Sequence, residues 1–133
     1  MNYVLDTGAV IAFLNAEKGA DVVEEVLTEP YASCYMHSYN LCEAYYLYYR
    51  TGGQSVADQV VNDVLDLGIS LRNDNDMPFW KYAGSIKAQN ALSLPDAFCL
   101  SITVRLGATV VTTDHGEFDP LVGKGICPIL FIR

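Results

Sequence analysis

Asp6, Glu43, Asp96 and Asp114 are four carboxylates that fall at strand ends or helix starts, each flanked by apolar residues that anchor its backbone. In a parallel sheet such positions lie at the carboxyl edge, where strand ends and helix starts leave a polar crevice. Taken singly, Asp6 also has a plain reading as a helix cap that accepts backbone N–H bonds, and Glu43 as a solvent-facing residue of its helix. Gathered at one edge, four carboxylates would repel and raise one another's pKa values unless cations were present. Oxygen-only donors point to magnesium or manganese rather than zinc. One such ion makes water a better nucleophile, and a second can stabilise charge on a phosphate and its leaving oxygen, as in phosphatases and nucleases. A carboxylate with an incomplete share in the metal can orient or deprotonate that water.

The flanking pattern says which elements must hold these acids. Val4-Leu5 reads as the end of a buried strand, and Ala9 to Leu14 as a short helix after Asp6. Val22, Val23, Val26 and Leu27 mark an amphipathic helix from Ala20 to Leu27, ended near Pro30. Tyr31 to Met36 predicts a second strand, with Ser38 as cap of a helix from Tyr39 to about Thr51 that carries Glu43 in its first turns. Ser55 to Leu67 forms the next helix, stopped by Gly68, and Ile69-Ser70-Leu71 a short strand. A helix from Asp76 to about Ala91 leads to Leu92-Ser93-Leu94-Pro95. There Pro95 suits the first helical position and Asp96 the first turn, where a negative charge meets the positive end of the helix. Ala108 to Val111 is an apolar, branched run of the kind found in a central parallel strand, ending at Thr112-Thr113-Asp114, and Cys127 to Ile132 predicts the last strand. Alternation of strands and helices makes the fold α/β with a mostly parallel sheet.

Composition sets the remaining bounds. A chain of 133 residues, 51% apolar and 18% charged, is expected to fold as one domain over 1–133. Sixteen acids against eight bases give a net charge of -8, which argues against binding nucleic acid through a bulk basic field. Bound cations would reverse that field locally. Cys34, Cys42, Cys99 and Cys127 are widely spaced, with no Cys-x-x-Cys pair, and read as buried free thiols of a reducing compartment rather than a zinc site. With no basic region leading into an apolar run and no stretch of the roughly 20 apolar residues that span a bilayer, the expectation is a cytoplasmic protein without a membrane partner.

Val4-Leu5-Asp6-Thr7, Asn40-Leu41-Cys42-Glu43, Ser93-Leu94-Pro95-Asp96-Ala97 and Thr112-Thr113-Asp114-His115-Gly116-Glu117-Phe118 resemble, in order and spacing, the successive acidic motifs of the PIN-domain family. The likeness covers essentially the whole chain and is nearest to VapC-type toxins of toxin-antitoxin pairs. It implies a PIN-like three-layer α/β/α sandwich in which Asp6, Glu43, Asp96 and Asp114 bind metal in a magnesium- or manganese-dependent endoribonuclease. By the same resemblance the products carry a 5'-phosphate and a 3'-hydroxyl, a cognate antitoxin inhibits by inserting a segment near the acids, and the protein is a homodimer.

Many members of that family place Ser or Thr where this chain has Gly8, and Thr7 is the substitute candidate for that hydroxyl. Thr7, Thr112 and Asp119 are candidates for the shell around the acids, although Thr112 also reads as a branched strand end and Asp119-Pro120 as an ordinary turn. Arg50 and Lys87 are candidate RNA-backbone contacts. Tyr46 or Tyr49 is expected on a dimer or antitoxin surface, because consecutive tyrosines cannot all point inward. His37 and His115 are expected in surface or loop roles. Two alternatives remain at this level, a catalytically silent PIN-fold interaction module and another metal-dependent phosphoester hydrolase. Asp6-Thr7-Gly8 lacks the second acid that an aspartyl-nucleophile phosphatase needs two residues on, and the acid and lysine of a phosphorylated receiver are not evident.

Overall fold

Every strand is short and apolar at its centre, and all five pair in one direction. A computed structural model describes residues 1–133. Strands β1 (Asn2–Leu5), β2 (Ser33–His37), β3 (Ser70–Arg72), β4 (Thr109–Thr112) and β5 (Ile129–Phe131) form one wholly parallel sheet in the order β3-β2-β1-β4-β5. The central strand, β1, is covered on both faces. Successive side chains alternate: Tyr3 and Leu5 join one core with Cys34, Met36 and Val111, while Val4 joins the other with Val110.

Helices α1 (Thr7–Leu14), α2 (Ala20–Thr28) and α4 (Gln54–Asp66) supply Ala9, Val10, Val23, Val26, Val60 and Val64 to the first core. Helices α5 (Met77–Gln89) and α6 (Leu94–Arg105) supply Phe79, Ala83, Ile86, Phe98, Leu100 and Ile102 to the second. The result is a three-layer α/β/α sandwich. Helix α3 (Ser38–Gly52) follows β2 and packs against α1, α4 and α6. Helix α6 is buried from Asp96 to Thr103, so its polar side chains need internal partners: Ser101 donates to Phe79 O at 3.0 Å and Thr103 to Cys99 O at 2.7 Å. No helix is long and apolar enough to cross a membrane.

Register brings the acids to one level. Leu5 lies opposite Val111, and Asp6 N donates to Val111 O at 3.0 Å, so Asp6 and Thr112 leave adjacent strands together.

Several local expectations are corrected. Tyr31 adopts a φ of 64° and is fully exposed, which makes Pro30-Tyr31 a turn and delays β2 to Ser33. Pro128 has no N–H to give the ladder, and β5 begins after it, at Ile129. The cap of α3 is His37, not Ser38: its Nδ1 accepts from Tyr39 N at 3.1 Å while Nε2 meets Asp74 O at 2.9 Å. Those two partners select one neutral tautomer, with Nε2 as donor. His37 is buried, stacks on Phe79 at 5.3 Å, and has its pKa lowered by that burial, so it is a structural group rather than a surface one. Cys34 and Cys99 are buried and Cys127 half-buried, but Cys42 is exposed because Leu41 and Ala44 take the inward positions of α3.

Candidate metal centre

Asp6 caps α1 and also faces a cavity. Its Oδ1 accepts from Ala9 N at 2.8 Å and its Oδ2 accepts from the Thr112 hydroxyl. Burial drives its pKa from 3.8 up to about 6, the bonds from Thr112 and Ala9 oppose the rise, and the nearby charges of Asp114 and Glu43 add to it. The cap of α1 and a wall of the cavity are therefore one and the same side chain. Thr112, fully buried, also accepts from Asp114 N at 2.9 Å, so one hydroxyl couples the acids at the ends of β1 and β4.

Asp114 begins a one-turn helix, α7 (His115–Phe118), by accepting from Glu117 N at 3.0 Å. In a reciprocal capping box the Glu three residues on would bond back to the cap's own N–H. Here Thr112 already holds that N–H, and Glu117 turns instead to α6, accepting from Ser93 N at 3.1 Å and Ser93 Oγ at 3.4 Å. Ser93 in turn caps α6 by accepting from Asp96 N at 3.3 Å. Asp114, Glu117, Ser93 and Asp96 are thus linked by a continuous run of bonds.

Asn40 fixes the third side. Fully buried one turn before Glu43, it accepts the Thr7 hydroxyl on its backbone O at 3.1 Å and donates from Nδ2 to Pro95 O at 3.4 Å. Helices α1, α3 and α6 are tied together through this residue, which sets Glu43 relative to Asp6 and Asp96.

These contacts enclose a cavity of about 360 Å³ lined by Asp6, Thr7, Gly8, Glu43, Ser93, Asp96, Thr113, Asp114 and Glu117, with no hydrophobic residue. All four acids singled out in the sequence line it. Its tightest group, however, is Asp96, Asp114 and Glu117, which bring one oxygen each within 4.8 Å of one another. Glu117 was not among the candidates; its signal was the spacing Asp114-x-x-Glu117 at a helix start. Carboxylates alone, without His or Cys in the group, are the donor set of an oxygen-seeking divalent cation, and the cluster can hold one.

Gly8 has its own local cause. A Cβ built there would overlap the Thr113 hydroxyl oxygen, which occupies the space a side chain at 8 would take. The hydroxyl near Asp6 therefore comes from the end of β4 instead of from the start of α1, whereas the Thr7 hydroxyl is turned to Asn40.

The other candidates lie elsewhere. Asp119 follows α7 and is paired with His115 Nδ1 at 2.8 Å, away from the cavity wall. His115 is exposed but partnered on both nitrogens, through Asp119 and Arg133 O at 2.7 Å, and these bonds raise its pKa. Lys87 Nζ donates to Leu92 O at 2.7 Å and closes the α5–α6 connection. Arg50 is exposed in the last turn of α3, outside the cavity.

A family model described as PIN domain matches residues 3–121. No curated protein matches the chain by sequence. In fold the chain is similar to solved structures: a chain of DNA-bound VapBC from Salmonella typhimurium superposes with a TM-score of 0.75 at 16% identity, covering 100% of this chain and 99% of that one. VapBC2 from Rickettsia felis, bound to a promoter DNA fragment, gives 0.74 at 15% identity with 97% of each chain covered. VapC20 from Mycobacterium tuberculosis, a toxin that cleaves the sarcin-ricin loop, gives 0.72 at 14% identity, with 91% and 95% covered.

Proposed function

The chain belongs to the PIN-domain family, and on that premise we propose that it is a magnesium- or manganese-dependent endoribonuclease, the toxin of a toxin-antitoxin pair. The observation that carries this reading is the convergence of Asp96, Asp114 and Glu117 in a cavity walled only by polar groups and glycine, with Asp6 and Glu43 on the same wall. Toxin-antitoxin systems among the similar structures support a cognate antitoxin as partner, and a homodimer is part of the same proposal.

Asp96, Asp114 and Glu117 would hold the cation, with Asp6 and Glu43 completing its surroundings. When bound, such a cation would supply positive charge to the phosphate and lower the pKa of water at the site. Asp6, whose buried carboxylate lines the cavity and is held in place by Thr112, is positioned to take a proton from the attacking water. Asn40 ties α3 to the start of α6 and Ser93 holds Glu117 there, so that the acids are set before substrate arrives. Attack of water on phosphorus with cleavage of the bond to the 3' oxygen, which leaves with a proton, would put the phosphate on the 5' end and free a 3'-hydroxyl.

The test is cleavage of a mixed panel of short RNAs by antitoxin-free protein, with magnesium, manganese or chelator, beside Asp96→Asn prepared identically. Metal-dependent products from the parent alone are the expected result. A folded parent that binds manganese and leaves every RNA intact would overturn the reading in favour of a silent interaction module.

A further inference from the structure

Beside the acidic cavity lies a groove of different character. Tyr39, Cys42, Glu43 and Tyr46 recur at the 3, 4, 7 spacing of one face of α3 and, with Pro95 at the start of α6, line a space of about 350 Å³. Glu43 is a wall of both cavities, so the two adjoin. Tyr39 is clamped from behind: its ring stacks on Phe98 at 4.4 Å and 7° and meets His37 edge-on at 5.4 Å, yet the residue is 42% exposed. Tyr46, two turns along, is 46% exposed and makes no side-chain hydrogen bond. A rigid aromatic face and a second exposed ring therefore border the acids.

The cations make the opposite point. Arg72 and Arg105 are committed to Asp74 and Asp76, Arg133 to Glu17, Lys87 to Leu92 O and Lys124 to Asn90. That engages five of the eight basic side chains, and none of the remaining three lines either cavity. A polyanion approaching a chain of net charge -8 gains little from basic contacts here. Single-stranded nucleic acid has one other general source of affinity, the stacking of bases on aromatic side chains.

Building on the nuclease reading, we propose that the Tyr39–Cys42–Tyr46 groove seats an unpaired base of single-stranded RNA next to the acidic cavity, and that stacking rather than pairing of phosphates with basic side chains supplies most of the affinity the protein's own side chains give. The shared wall at Glu43 gives the base and the phosphate adjacent places. The substrate class follows as RNA with an unpaired nucleotide flanking the cut, since a base inside a duplex cannot reach the groove.

The experiment uses the full chain with manganese and a fluorescein-labelled oligouridylate, measured by anisotropy and by 5-iodouracil photocrosslinking with peptide mapping. Tyr39→Leu keeps the packing on Phe98 and removes the aromatic face; Tyr46→Leu and the control Tyr49→Leu complete the set, each sized by gel filtration. Expected are crosslinks on Tyr39 or Tyr46, a roughly 5- to 100-fold loss of affinity in either groove variant, none in Tyr49→Leu, and a shallow salt dependence. Unchanged affinity in both groove variants overturns the proposal, as does a steep salt dependence or a folded parent that binds no RNA. If Tyr46→Leu instead dissolves a dimer and leaves affinity intact, the face is a protein interface and the proposal also falls. The two readings fail separately: groove-dependent binding without cleavage refutes the nuclease alone, and cleavage indifferent to the groove refutes the base platform alone.

Discussion

Asp6→Asn should stabilise the metal-free protein at neutral pH and lose that advantage in acid. Asp6 is 3% exposed, and its pKa rises from 3.8 in the unfolded chain to about 6 in the fold. Between these values the native state binds more protons than the unfolded state. Stability therefore falls as pH rises through the window, by about 1.4 kcal/mol per pH unit while the difference is one proton. The full displacement of about 2 units corresponds to about 3 kcal/mol. At about pH 4 the unfolded carboxyl is already half ionised, which leaves about 2–3 kcal/mol to be read between about pH 4 and pH 8. Asn imitates the protonated acid: its Oδ1 keeps the bond from Ala9 N, and its Nδ2 can donate to the Thr112 oxygen. Urea unfolding of parent and variant in chelator, followed by circular dichroism across that range, isolates this group in the difference of the two curves, because the other titrating groups are common to both. The difference should grow in favour of Asn by about 2–3 kcal/mol from acid to neutral. A difference that stays flat with pH would refute the argument that burial and neighbouring charge penalise the ionised Asp6. Added manganese should narrow the difference at neutral pH, by stabilising the parent more than the variant, which keeps Asp96, Asp114 and Glu117 but lacks the Asp6 charge.

Glu117→Gln keeps the shape of the side chain and removes its charge from the tight cluster, and calorimetry should record manganese affinity falling by at least about 10-fold; an unchanged constant would place Glu117 in a purely structural role at Ser93. Gly8→Ser should cost about 1–3 kcal/mol through overlap with Thr113. Combining it with Thr113→Ala should recover most of that loss in a double-mutant cycle, whereas simple additivity would mean that the two positions do not share space. His37 is held neutral in the fold, so below its ordinary value of 6.5 the unfolded state binds the extra proton and stability declines as pH falls. Its ring resonances in NMR should titrate below those of exposed His115, whose pKa is raised, and matching titrations would remove His37 as the neutral cap of α3.

What the sequence made legible depended on whether a local signal and the tertiary contact agreed. β1 and β4 are apolar, branched and followed by Asp, so period, composition and position at the sheet edge pointed the same way, and Asp6 and Asp114 fall on one cavity. Asp96 was marked by Pro95 and the helix start that carry it. Where one residue could satisfy a role, sequence could not say that its neighbour had already done so. Ser38 is a sound cap by type, but His37 reaches Tyr39 N because its other nitrogen is anchored on Asp74 O, a contact between segments far apart in the chain. Arg50 shares a helix with Glu43, yet spacing says nothing of where the cavity ends.

Glu117 shows the same limit from the functional side. Asp114-His115-Gly116-Glu117 is the spacing of a capping box, and a capping box would use the Glu locally. Its release depends on Thr112, a strand residue that takes the Asp114 N–H first and so leaves the Glu117 carboxylate without its usual donor. The carboxylate then finds Ser93 on another helix and comes to stand beside Asp96. Thr112 thus acts at both acids, holding Asp6 by one bond and directing Glu117 by another. Thr112→Val should in consequence disturb two carboxylates rather than one: the loss of its bond removes an opposing influence on the already raised Asp6, and Glu117 regains a local N–H to compete with Ser93. The readout is manganese affinity beside that of Glu117→Gln; an affinity unchanged by Thr112→Val would mean that β4 merely packs beneath the site and does not arrange it.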